Sequence, residues 1–129
     1  MSEFKRKNAI SGCPLTAAQA ALGGKWKLLI LYWLAKEPYQ FAALQRQLRG
    51  ISRKVLAQQL RELASDGIIH RQMTGPVPIP VIYSLTEYGR AALPLLEQVR
   101  LWGNEHIARA RAEISLRSVA VSAPTLHGD

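Results

Sequence analysis

Arg53, Lys54, Gln58 and Arg61 are side chains that can bond the edges of bases, and all four fall between Ser52 and Ser65. In the same stretch Leu56, Leu60 and Leu63 recur every three or four residues, the spacing of one buried helical stripe. The four polar side chains and Ala57 then stand about 180° away on the opposite face. Arg and Lys can donate to guanine O6 and N7, and Gln can bond adenine N6 and N7. Arg53 and Lys54 would sit in the first helical turn, where a cation opposes the helix dipole. An approaching phosphate or base edge gives that placement a reason. A merely solvated charged face is the plainer reading of the same residues, and the surrounding elements have to decide between the two.

Other chemistry is thin. Cys13 is the only cysteine. It precedes Pro14 at the start of a helix, where thiol pKa is often lowered and reactivity with electrophiles rises. Its plainer reading is a small, inert hydrophobe. His70, His106 and His127 are scattered, and neither they nor Cys13 has metal-ligand spacing. There is no phosphate-cradling glycine loop, no G-x-S-x-G and no carboxylate pair in a plausible cleft. No catalytic residue, cofactor or metal ligand is nominated, and the protein is not expected to be an enzyme.

The elements that hold these residues can be read in order. Leu15–Leu22 predicts a short helix that starts at Pro14 and stops at Gly23-Gly24. Lys25–Ala35 predicts a core helix, with Trp26, Leu29, Ile30 and Trp33 at helical spacing. Lys25 and Lys27 open that helix and invite either a phosphate or solvent. Phe41, Leu44 and Leu48 make one face of a helix over Ala42–Leu48, whose other face shows Gln45, Arg46 and Arg49. Arg49-Gly50-Ile51 then turns tightly, and Ser52 caps the next helix. Strands follow over Ile68–Thr74 and Val81–Leu85, joined by a proline-rich tip, and one long helix is expected from Glu87 to Ser115. Leu93, Leu96, Val99, Trp102 and His106 share a face of it. A helix, a glycine turn, a capped helix and a hairpin in that order describe a helix-turn-helix with a wing.

Charge supports this reading. Residues 1–71 hold twelve basic and four acidic side chains, while 72–129 hold five of each, so the whole net charge of +8 lies in the first part. A polyanion-binding half joined to a neutral half fits that division. With 129 residues, 48% hydrophobic, the chain suits one domain. The expected organisation is a flexible basic arm over 1–12, a domain over 13–116 and a disordered tail over 117–129. Lys5-Arg6-Lys7 in the arm could brush a phosphate backbone. The longest apolar run, Leu28–Ala35, is far short of the ~20 residues that span a bilayer. Met1–Lys7 leads into no apolar segment, so no signal peptide, no membrane anchor and a cytoplasmic location are expected.

The sequence resembles the HxlR family of winged helix-turn-helix regulators, a branch of the MarR-like superfamily. The matching residues are Cys13-Pro14, Gly24-Lys25-Trp26, Gly50-Ile51-Ser52, Leu56, Leu60-Arg61-Glu62-Leu63 and Asp66-Gly67-Ile68. Pro80-Val81, Tyr83-Ser84-Leu85-Thr86, Gly89 and Trp102-Gly103 continue the match. It departs at Gln40-Phe41-Ala42-Ala43-Leu44, where the family usually has Arg-Phe-x-Glu-Leu. It departs again at Ile82, where a polar residue is more usual. The resemblance implies a mainly α fold with a small antiparallel β-wing, dimerising through its N- and C-terminal helices. It also implies a homodimeric transcription factor on double-stranded DNA, and an inverted-repeat operator follows from two-fold symmetry. Arg53, Lys54 and Gln58 are expected to read bases. Arg46, Arg49 and Arg61 are expected to hold phosphates, with Ser52 at the contact and Arg71 on the wing. Leu15, Ala18, Leu22, Leu93, Leu96, Val99 and Trp102 are the expected dimer contacts. Some family members sense oxidants or electrophiles through a cysteine matching Cys13. A ligand-sensing regulator with an inert Cys13, and a winged helix that only binds protein, stay open as alternatives. So does a small-molecule oxidant or ligand as a further partner.

Overall fold

Pro14 carries no N–H and has a fixed φ, so it suits the first position of a helix, and α1 runs Pro14–Leu22 in the computed structural model. The structure describes residues 12–73, 75–76 and 80–122. Most of the expected arm, the end of the expected tail, His127 and the wing residues Thr74 and 77–79 lie outside the described residues. Two compact units divide the chain, one up to Leu96 and the other from Glu97 onward.

In the first unit, α2 spans Lys27–Leu34, α3 spans Phe41–Gln47 and α4 spans Arg53–Ser65. The deepest stripe of α2 is Lys27, Ile30, Leu31 and Leu34. Trp26 and Trp33 only pack against that core, and Leu29 is exposed. Leu44 of α3 and Leu56, Leu60 and Leu63 of α4 complete the helical part of the core.

The sheet has one strand more than the sequence pattern revealed. β1 (Tyr39–Gln40), β2 (Ile69–Met73) and β3 (Val81–Leu85) are antiparallel in the order β1-β3-β2. Tyr39 lies opposite Tyr83, and Ile69 lies opposite Leu85. Two residues carry no period of their own, so β1 exists only through its pairing with β3.

The expected unbroken helix from Glu87 is in fact two. α5 is the single turn Glu87–Arg90, and α6 runs Leu93–Ser122. Pro94 explains the break, because it has no N–H to give to Arg90 and must occupy a first turn. Thr86 fixes α5: its Oγ1 accepts from the Gly89 N–H at 2.9 Å and donates to the Gly67 carbonyl at 2.6 Å. Gly89 itself lies so close to the Ile68 carbonyl that a Cβ would collide with it. The far end of α6 also passes the expected stop at Ser115 and continues over 117–122, part of the stretch read as a disordered tail. Among the described residues, no helix is long and apolar enough to cross a membrane.

Candidate nucleic-acid interface

The turn that aims α4 is fixed by local chemistry. Gly50 takes φ +90°, a left-handed conformation that glycine adopts without a Cβ clash. Ser52 then caps α4, its Oγ accepting from the Val55 N–H at 3.1 Å. Gln45 of α3 donates to the Ile51 carbonyl at 3.3 Å and so ties α3 to the turn.

Buried Leu56, Leu60 and Leu63 press one side of α4 into the core, which turns the other side outward. Arg53, Lys54, Gln58 and Arg61 are all exposed there, and Ala57 is half-buried. Arg46 near the end of α3, Arg49 in the turn and the cap Ser52 are exposed as well. The Arg53 guanidinium stacks over the Phe41 ring at 5.7 Å, which narrows its directions of reach. Behind the wing-side end of α4, Arg61 and Arg71 line one shallow cavity with Ala57, Leu60, Ala64 and Tyr83. Arg71 reaches it because its cross-strand partner on β3 is Tyr83, which puts both on one face of the sheet. A wing residue in that position suits backbone contact. Arg71→Ala is therefore expected to weaken operator and unrelated DNA by the same factor, as competition binding would read. Loss at the operator alone would make Arg71 a base reader.

Lys27 is neither a phosphate contact nor a solvated cation. It is 2% exposed and donates from Nζ to Glu62 Oε1 at 2.7 Å. The other oxygen, Glu62 Oε2, accepts from Gln58 Nε2 at 3.3 Å. A core lysine on α2 thus holds, through one carboxylate, an amide on the outward edge of α4. The sequence carried a partial signal for this: Lys27 falls in step with Ile30, Leu31 and Leu34, and a lysine buried with such a stripe needs a partner.

Cys13 occupies the N-cap position of α1 and is exposed. The Thr16 hydroxyl, followed by the Thr16 and Leu15 amides, holds its thiol pKa below the ordinary value. The helix terminus does this, and Lys25 is engaged elsewhere, with its ammonium over the Trp26 ring at 4.8 Å. Among the dimer candidates, Leu15 and Ala18 are exposed, while Leu22, Leu93 and Leu96 pack partly against the core. In the second unit Val99 and Trp102 are exposed, and Trp102 stacks on His106 at 5.0 Å. No group of three or more His, Cys, Asp or Glu suited to a metal occurs among the described residues.

Residues 21–111 match the family described as HxlR-like helix-turn-helix. The chain belongs to that family. An HTH-type transcriptional regulator of Halalkalibacterium halodurans is 41% identical over 105 residues, covering 80% of this chain and 93% of its own. The structure of the HTH-type regulator YtcD superposes with a TM-score of 0.71 at 39% identity, over 75% of this chain and 99% of that one. The redox regulator HypR in its reduced form gives a TM-score of 0.73 at 35% identity, over 78% and 99%. Its oxidised form gives 0.69 at 39% identity, over 72% and 96%. This HxlR-type chain is thus a transcriptional regulator with a winged helix-turn-helix of MarR-like fold, and its relatives are regulators rather than enzymes.

Proposed function

We propose that this HxlR-type regulator acts in the cytoplasm as a homodimer on an inverted-repeat operator in double-stranded DNA. The observation that carries this reading is the outward edge of α4, where Arg53, Lys54, Gln58 and Arg61 stand exposed beside the wing residue Arg71. Arg53, Lys54 and Gln58 read base edges. Arg46, Arg49 and Arg61 hold phosphates, with Ser52 at the contact. Two copies related by a two-fold axis set half-sites about one helical turn apart. Nuclease protection on genomic fragments tests the reading, and a protected inverted repeat is the expected footprint. Protection without sequence preference would contradict it.

Dimerisation has its own support. The second unit leaves Leu101, Trp102, Ile107, Ile114, Leu116 and Val119 each more than 40% exposed. Apolar side chains along one helix at that density mark a surface that meets another protein surface. With Leu15, Ala18 and Leu22 of α1 and Leu93, Leu96 and Val99 of α6, they supply the contact with a second copy. Sedimentation at micromolar concentration is expected to give twice the mass of the 14.3 kDa chain. A mass of one chain would refute the dimer.

A redox input rests on Cys13. The relative HypR is known in oxidised and reduced forms, and here the thiol is exposed with a lowered pKa. A thiol of lowered pKa holds more thiolate at a given pH, and the thiolate is the reactive form. With one cysteine per chain, a disulfide has to join two subunits or one subunit and a small thiol. Alkylation of Cys13 by iodoacetamide is expected to rise with pH through a midpoint below that of free cysteine. Diamide is expected to weaken DNA binding of the wild type and to leave Cys13→Ser unchanged. An ordinary midpoint together with diamide-insensitive DNA binding would make Cys13 structural.

A further inference from the structure

Gln58 and Glu62 stand four residues apart on α4, so their side chains meet along one edge of the helix. Gln58 is exposed, and its Nε2 donates to Glu62 Oε2 at 3.3 Å. The other carboxylate oxygen, Glu62 Oε1, accepts from the buried Lys27 Nζ at 2.7 Å. An ammonium has only donors and a carboxylate only acceptors, so neither contact can run the other way. This order dictates which end of the Gln58 amide faces Glu62. A flipped amide would set Oε1 against a carboxylate oxygen, two acceptors in contact. Nε2 is therefore the held end, and one of its two hydrogens is left over from this bond. Lys27 has a second effect. Its charge offsets that of Glu62 from behind, which lets a carboxylate stand beside a helix edge assigned to a polyanion.

We propose that Glu62, anchored by Lys27, is a positioning residue for base recognition, which fixes the donor and acceptor order of Gln58 and restricts that side chain to adenine. In the major groove adenine shows an acceptor, N7, beside a donor, the N6 amino group. Guanine shows two acceptors, cytosine a donor, and thymine an acceptor beside a methyl group. A glutamine free to turn can meet any of them, with its NH2 toward guanine or thymine and its oxygen toward cytosine. The held amide has one N–H and Oε1 left to offer, which is the complement of adenine. Guanine's two acceptors would need both N–H groups, and Glu62 already takes one. The inference rests on the reading of Gln58 as a base contact and deepens it. Part of the discrimination then comes from a core lysine and a carboxylate that touch no base.

Fluorescence anisotropy of the full chain on the protected operator tests it, with duplexes that carry each of the other three base pairs at one position at a time. Gln58→Ala locates the position where a preference for adenine is lost. Glu62→Gln is the decisive variant. Lys27 has only donors, so it takes the new amide oxygen and leaves an NH2 facing Gln58. Gln58 must then turn Oε1 inward, and the order it offers to the base is lost. The preference for adenine at that position is expected to fall about tenfold, with preferences elsewhere in the operator kept. Adding Lys27→Met frees the new amide oxygen to accept from Gln58 and is expected to restore most of the preference. In a Gln58→Ala background, Glu62→Gln is expected to change no base preference. Circular dichroism checks that each variant is folded. An unchanged preference in Glu62→Gln, an equal loss at every position, or no recovery on adding Lys27→Met would each overturn the proposal. Any of these beside a loss in Gln58→Ala leaves the base contact of Gln58 standing. If Gln58→Ala itself alters no base preference, the reading of Gln58 falls and this proposal falls with it.

Discussion

Glu62→Ala is expected to lower the unfolding free energy by about 3 kcal/mol in urea denaturation. Lys27 is 2% exposed and its partner carboxylate 15%. Removing the carboxylate takes away the ion pair that the core ammonium makes at 2.7 Å. Breaking a buried pair in this way costs roughly 3–5 kcal/mol, and the lower end applies because Glu62 is partly open to water. Small domains have only about 5–15 kcal/mol in total, so the variant should melt far below the parent. The double variant Lys27→Met with Glu62→Gln is expected to recover most of the loss. It removes both charges, while the new amide can still accept from Gln58. A cost under about 1 kcal/mol for Glu62→Ala would mean that the pair is not held in the core in solution.

That pair marks where the sequence stopped being legible. The helix-turn-helix could be read because its signals are local. Gly50 at φ +90° and the Ser52 cap act within a few residues, and Leu56, Leu60 and Leu63 keep a regular stripe. Val81–Leu85 was equally plain, since a half-buried strand alternates. The pairing of Lys27 with Glu62 spans 35 positions, and no spacing rule reaches that far. β1 failed for the same reason, because Tyr39 and Gln40 become a strand only against Tyr83 and Ile82. The break before α6 is a different kind of miss. Pro94 marks it, but the apolar period through Leu93 and Leu96 runs straight across the proline and hides the break. The end of α6 was missed because 117–122, Arg-Ser-Val-Ala-Val-Ser, shows no one-sided apolar period of its own. The outward residues of α4 were legible by type and by face. Their support from behind, with Phe41 under Arg53 and Glu62 beside Gln58, was not.

The second large effect concerns DNA. Arg53 and Gln58 are the two α4 side chains that combine base-bonding chemistry with a fixed support. Loss of one well-made base contact costs roughly 1–3 kcal/mol, so Arg53→Ala with Gln58→Ala is expected to remove about 2–6 kcal/mol of operator affinity. Non-specific binding should fall much less, because the phosphate contacts assigned to Arg46, Arg49 and Arg61 remain. Arg61→Ala is the complementary variant. It is expected to weaken all DNA alike and to reduce the slope of log affinity against log salt by about one. The most direct measurement is fluorescence anisotropy of the double variant and the parent on the protected operator and on a scrambled duplex, at one fixed salt concentration. The assignment of α4 as the reading helix predicts that the ratio of operator to scrambled affinity collapses in the variant while both proteins keep the same circular dichroism. An unchanged ratio would contradict it.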